Sequence, residues 1–422
     1  MRKLIVLLVS CSCILSVFPV YGAQQPADDE YSELQTVVAL GLLDGTAMSR
    51  AQETITRGEF VYGLMQLCGN PFPNGIAPFS DLPEREDYRR AINAAYEMGL
   101  LSGYEDGTVR ATEPITRVHA AHLLAKCVGY ADLIQAGKPA ARACAEAGIC
   151  SYAEANDASE CTVGSAAALL LAAGNANMVG ASVIGSQSME YVFREETLLS
   201  HYLNIFRTEG IISANEYTYL NEGGHLGKDT VEIGGEIFQC ISGEVKSLLG
   251  YNVEVYYRQR YGSDLREIIY CFPKRNKIIS ISAEDVIGYR DGRLEYYDEN
   301  ERSVSESFPL SAVDVIYNNR LLTKASAEDF AITSGSITLI DNNDDGRYDV
   351  TLVLSYRNAV VDSVDKSREE VYFKFGEKPL SLSKNSGLSF LSADGSPAYA
   401  VELAEWDVLS IAESKDGELI HA

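Results

Sequence analysis

Three times within its first 180 residues the chain runs an apolar helical stretch into a glycine, crosses a polar loop, and opens a second helix on a threonine. The glycines are Gly41, Gly99 and Gly148, the threonines Thr56, Thr116 and Thr162, and the separations are similar. A unit repeats in this way because one copy alone cannot bury its apolar face. The copies span residues 27–76, 77–130 and 131–180. The middle one is the clearest. Phe79-Ser80-Asp81 makes a turn, the spacing predicts a helix over 88–99, and Gly103-Tyr104-Glu105-Asp106-Gly107-Thr108 leads to Ile115-Thr116-Arg117, where the second helix starts. In the first copy Ile55-Thr56-Arg57-Gly58-Glu59 opens a helix over 60–65. In the third, Cys161-Thr162-Val163-Gly164-Ser165 stands in the same place, ahead of a helix over 166–173.

The helix starts can be read from local chemistry. Thr56 suits an N-cap, its hydroxyl taking an orphan amide of the first turn. Glu59, three residues on, is positioned to complete a capping box by reaching back to the Thr56 amide. Arg57 then occupies the first helical position and is expected to project into solvent. Thr116 and Arg117 repeat the pattern, but His119 replaces the glutamate and leaves that box incomplete. Val163 and Ser165 remove both arginine and glutamate, so the third copy is expected to be structural only.

The order F-x-D, aromatic-x-x-A-I, G-x-x-D-G-T and I-T-R resembles the S-layer homology (SLH) module, which tethers bacterial surface proteins to cell-wall polysaccharide. The resemblance implies three modules in a pseudo-threefold all-α bundle, and contact with a secondary cell-wall polysaccharide that is anionic and often pyruvylated. The polysaccharide-binding residues it implies are Arg57 and Arg117, with Thr56, Thr116, Glu59, Asp81, Tyr88 and Gly107 near the groove. A guanidinium suits such a ligand because its donors match a carboxylate in bidentate geometry. Tyr88 stands where the family usually has tryptophan and can still stack on a sugar face. Gly107, after Asp106, also makes the turn, because glycine accepts positive φ. Two other readings stay open: a bundle used for structure or protein interaction, and an anchor for a carbohydrate-active enzyme.

Charge narrows the partners. The chain of 422 residues has a net charge of −25, which argues against nucleic acid and anionic membranes as partners. Across 27–180 there are ten Lys/Arg against twenty Asp/Glu, so an anionic polymer must be held by local arginine pockets rather than long-range attraction. Arg2-Lys3, an apolar run to Val20, and Val20-Tyr21-Gly22 read as a signal peptide over 1–22, with Leu8-Val9-Ser10-Cys11 leaving a lipoprotein variant open. The expected location is secreted, on the cell wall or cell surface, with no membrane span after cleavage. Nine cysteines become seven once Cys11 and Cys13 leave; an odd number cannot all pair internally, and Cys144, Cys150 and Cys161 lie close enough for one disulfide.

Beyond residue 180 a connector helix is expected within 181–212, from the helical spacing of 189–207. Period-two aromatic and β-branched runs follow, such as 252–257, 267–272 and 350–356, punctuated by Arg290-Asp291-Gly292 and a turn at 384–387. The expectation is therefore a multidomain α+β chain: the all-α bundle, then an all-β region of small barrels or sandwiches over 213–300 and 301–422. From Gly210 onward the sequence resembles the β-rich C-terminal parts of clostridial SLH surface proteins, of which it would be a truncated member, with surface-layer self-association left open. Asp341, Asn343, Asp345 and Asp349 follow D-x-N-x-D-G-x-x-D, the start of a calcium loop. Leu352 replaces the closing glutamate, so only weak Ca²⁺ binding competes with a plain acidic turn, and no other cofactor is expected. The five histidines form no H-E-x-x-H, and no G-x-S-x-G occurs, so the chain reads as non-catalytic.

Overall fold

The computed structural model describes residues 29–184, 188–220, 224–259, 262, 264–382, 387–391 and 397–421. The expected signal peptide and most of the turn at 384–387 lie outside the described residues. Among these residues one compact unit comprises 29–208 and 255–271, and a second comprises 209–254 and 272–421.

The first unit is led by helices α1 (Asp29–Ala39), α2 (Arg57–Leu67), α3 (Glu86–Glu97), α4 (Arg117–Ala125), α5 (Ala131–Gln135), α6 (Ala140–Glu146), α7 (Tyr152–Ala155) and α8 (Val163–Asn175). The second helix of each copy packs on the first helix of the next: α2 on α3, α4 on α6, and α8 back on α1. Fully buried Leu34, Phe60, Leu64, Ile92, Leu124 and Leu170 fill the interior.

Backbone hydrogen bonds follow the same cycle. Ile55 N–H donates to Cys161 O, Cys161 N–H to Ile115 O, and Ile115 N–H to Ile55 O, at 2.8 to 3.1 Å. One layer out, Arg57 N–H donates to Glu113 O, Arg117 N–H to Ser159 O, and Val163 N–H to Glu53 O. The next residues repeat it, with Gly58 on Ala111, Val118 on Asp157 and Gly164 on Ala51. These bonds take up first-turn amides that a helix cannot satisfy internally, so each helix start is tied to the loop of another copy. The approach is tight at Gly58, where a Cβ would lie 3.0 Å from Ala111 O.

The connector helix expected over 189–207 is not formed. Strand β1 (Asn177–Ile184) instead pairs antiparallel with β2 (Ser188–Thr197), and only α9 (Leu198–Leu203) is helical. The aromatic and β-branched Tyr191-Val192-Phe193 suit a strand once β1 supplies a partner. Thr197 and Ser200 form a complete capping box that starts α9 at 198, and Asn204, at φ 56°, stops it.

Strands β3 (Ile205–Asn215), β4 (Thr230–Ile233), β5 (Glu236–Gln239), β6 (Asn252–Gln259) and β7 (Arg266–Pro273) close a small barrel in the order β3-β4-β5-β7-β6. Then come β8 (Lys277–Ser282), β9 (Val286–Arg290), β10 (Arg293–Tyr297), β11 (Ser303–Ser307), β12 (Asp314–Tyr317), β13 (Arg320–Leu321), β14 (Gly335–Asp341) and β15 (Val350–Ser355). They form a three-stranded sheet, β11-β10-β9, and a five-stranded one, β13-β12-β15-β14-β8. β8 thus pairs with β14 across residue 300, where two β domains were expected to meet, and one core joins Ile281, Leu294, Phe308, Phe330, Ile337 and Val353. The last sheet contains β16 (Arg357–Asp365), β17 (Glu370–Phe373), β18 (Leu380–Ser381), β19 (Gly387–Leu391), β20 (Pro397–Ala398), β21 (Val408–Glu413) and β22 (Leu419–His421), with its own core around Val361, Val371, Ile411 and Ile420. Among the described residues no helix is long and apolar enough to cross a membrane.

Candidate functional site

The start of α2 carries the one strongly unbalanced charge among the expected residues. Arg57, expected in solvent, is only 9 % exposed, at a helix start whose amides bond the loop of the second copy. Its guanidinium lies 5.6 Å from the Tyr104 ring, and that of Arg110 stacks 4.0 Å from the same ring. The buried Nε of Arg57 has no hydrogen-bond partner. Burial lowers the pKa of Arg57, Tyr104 works against that, and the nearby Arg110 lowers it again; no carboxylate acts on it. A buried cation without a counter-charge is unfavourable until an anion arrives.

Arg110 is held on purpose. Its backbone sits at φ 54°, a strained value for a non-glycine residue, and its N–H donates to Asp81 Oδ2 at 2.7 Å. Asp81 Oδ1 accepts from Val109 N–H at 2.7 Å, so both oxygens of this expected groove residue are spent on fixing the loop. Gly107, at φ 78°, makes the turn, its carbonyl accepting from Ser80 N–H. Asp106 accepts from Thr108 and pairs with Arg110 at 3.3 Å. His119 and His122 border the same cations. Burial, with Arg57 second, holds His119 below the usual imidazole range; burial followed by Lys126, His119 and Arg57 does the same for His122.

Arg117 meets the opposite surroundings. It is more exposed, and its Nε faces Asp157 Oδ2 at 3.8 Å. The remaining expected residues separate from both arginines. Thr56 caps α2 by accepting from Glu59 N–H at 3.2 Å, but the Glu59 carboxylate pairs with Arg50 at 2.5 Å instead of completing a capping box. The box forms in the third copy, where Ser165 reaches back to Thr162. Thr116 makes no side-chain cap, and its buried Oγ1 has no partner. Tyr88 is covered on one face: Arg85 lies 4.2 Å over its ring and donates to its hydroxyl, and Tyr62 packs at 5.5 Å. The structure therefore brings Arg57 together with Tyr104, Arg110 and His119, and leaves Glu59 and Tyr88 in a separate cluster with Arg50, Arg85 and Asp44. Tyr104 and Arg110 went unread as site residues; an aromatic and an arginine flanking the Asp106-Gly107 turn were the available signal.

In the second unit, Asp341, Asn343, Asp345 and Asp349 share the turn between β14 and β15. Asp341 is buried and accepts from the amides of Asn343, Asp345 and Gly346; Asn343, Asp345 and Asp349 accept from Asp345, Arg347 and Asn342. Burial raises the Asp349 carboxyl, against the Asn342 hydrogen bond, and Asp345 and Asp341 raise it further. Among the described residues no group of three or more His, Cys, Asp or Glu is placed to hold a metal ion. Asn343 and Asp349 also line a cleft of about 510 Å³ with Ser213, Leu220 and Asp314.

A model of the S-layer homology domain family matches residues 78–121, which run from the Phe79 turn through α3 and the Tyr104–Arg110 loop into α4. No curated protein matches the chain. The matched stretch supplies the loop half of the Arg57 pocket and the whole helix start of Arg117. Residues 78–121 are an S-layer homology domain, and the chain is an SLH-domain-containing protein.

Proposed function

We propose that the chain is a surface protein anchored non-covalently to an anionic, pyruvylated secondary cell-wall polysaccharide, and that Arg57 is its main ligand-binding residue. In this reading the three copies are three SLH-like modules, the second unit is displayed outward, and the protein is an anchor, not an enzyme. The SLH domain supports wall association in general. The cyclic hydrogen bonds among Ile55, Ile115 and Cys161 support the three-module arrangement. The observation that carries the reading is a buried guanidinium with an unpartnered Nε, beside a second arginine and an aromatic ring. A ketal carboxylate brought to this guanidinium would accept charge-assisted hydrogen bonds, while the sugar lies against Tyr104.

Co-sedimentation of the full chain with purified wall sacculi tests this. Wild type should pellet, and Arg57→Ala should remain in the supernatant with its far-UV circular dichroism unchanged. Equal pelleting of the two would show that the pocket is not the anchor, and no pelleting of wild type would favour a protein-interaction bundle.

A further inference from the structure

Two cysteines from different copies meet although nothing in their spacing pairs them. Cys68 is the C-cap of α2, and Cys127 lies just past the end of α4, 59 residues later. Their sulfurs are 2.8 Å apart. Even carbon atoms rest about 3.5–4.0 Å apart in van der Waals contact, and a covalent S–S bond is about 2.0 Å, so this separation lies between contact and bond. Cys68 is 3 % exposed and Cys127 half-buried. Tyr202 of α9 borders the pair. An isolated buried thiol is ordinarily an inert hydrophobe; two that touch across copies are a different case, and a cell-surface location permits disulfides.

We propose that Cys68 and Cys127 form a disulfide that staples the first copy to the second. The oxidant is a small external disulfide of the glutathione type. One cysteine, as thiolate, attacks it and releases one thiol; the second cysteine attacks the mixed disulfide and releases the other. Two protein thiols are oxidised, one external disulfide is reduced to two thiols, and the two cysteine protons end on the released thiols. The staple would sit at the C-terminal ends of α2 and α4. At the opposite end of α2, Arg57 and Gly58 already bond the loop that leads into α4. The two helices that bound the Arg57 pocket are thereby fixed at both ends. Cys144 and Cys150, which also contact each other, lie within one copy and cannot do this.

The test does not depend on polymer binding. The full-length wild-type chain is equilibrated with oxidised glutathione, unfolded in iodoacetamide, and digested with trypsin without reductant. Peptides 58–85 and 127–142, which hold Cys68 and Cys127, should appear linked and separate on reduction. Recovery of both as alkylated peptides, or as separate glutathione adducts, overturns the proposal. A Cys68→Ser/Cys127→Ser variant then separates this staple from any other. Reductant should lower the wild-type melting temperature by on the order of 10 °C more than that of the variant. Equal losses would show that the pair does not staple the copies.

Discussion

Arg57 and Arg117 occupy equivalent helix starts, and their amides and those of the next residues bond equivalent loop carbonyls. The loops differ in sequence, and the difference that changes the charge lies at the carbonyl that the next residue bonds. Gly58 bonds the carbonyl of Ala111, whereas Val118 bonds that of Asp157. Asp157 therefore brings a carboxylate to Arg117, while Ala111 brings none to Arg57, and the nearest charge there is a second arginine. The same backbone frame yields one neutralised arginine and one buried cation. On the proposed function, which arginine binds would be set by the loop of the neighbouring copy, not by the Thr-Arg motif itself.

The largest expected effect breaks this contrast at Arg57. Hydrogen bonds to a charged group contribute about 1.5–3 kcal/mol, so Arg57→Ala should weaken sacculus binding by roughly 10- to 100-fold, and Arg117→Ala by less than about threefold. Binding isotherms at one fixed salt concentration check both. The next effect is a gain. Asp157→Asn keeps an acceptor for Ser159 N–H, and its amide NH2 can donate to Ser159 Oγ, while removing the charge that meets Arg117. It should strengthen binding by roughly threefold to tenfold, and that gain should vanish when Arg117→Ala is added, a coupling read from the double-mutant cycle.

What could be read in advance was local. Thr56 and Thr162 act as caps three residues from their targets, and Gly107 makes the turn its sequence announced. The failures needed partners distant in the chain. Glu59 pairs with Arg50 upstream, Tyr88 is covered by Arg85, and Arg57 is buried beside Tyr104 and Arg110 of another copy. Residues 189–207 have apolar residues at helical spacing, but Val192 and Phe193 are exposed and form no buried helix face; pairing with β1 makes the strand. The Cys68–Cys127 contact was equally invisible, because it depends on how two copies meet.

A smaller effect concerns pH. Above about pH 7.5 the imidazoles are neutral in both folded and unfolded chains, so His119 and His122 add no pH dependence there. As pH falls below that value, the unfolded chain binds protons that the folded chain, with its lowered values, does not, and stability declines. An anion in the Arg57 pocket would offset the neighbouring cations and favour protonated His119. Polymer binding should therefore strengthen a few-fold between pH 7 and pH 5.5 in wild type and much less in His119→Gln, as measured by co-sedimentation across pH.

The smallest effect isolates the caps from the ligand. Thr116 and Thr162 are equivalent by position, yet Thr162 accepts from Ser165 N–H at 3.1 Å while the Thr116 hydroxyl is buried without a partner. Valine matches threonine in shape and removes only the polar group. Thr162→Val should cost about 1 kcal/mol of stability, the usual worth of an N-cap. Thr116→Val should cost nothing and can stabilise by up to about 1 kcal/mol, because it removes an unsatisfied buried hydroxyl. Urea midpoints at unchanged m-value distinguish the two. Equal losses would mean that the Thr116 hydroxyl finds a partner in solution, and the second helix start would then be capped like the other two.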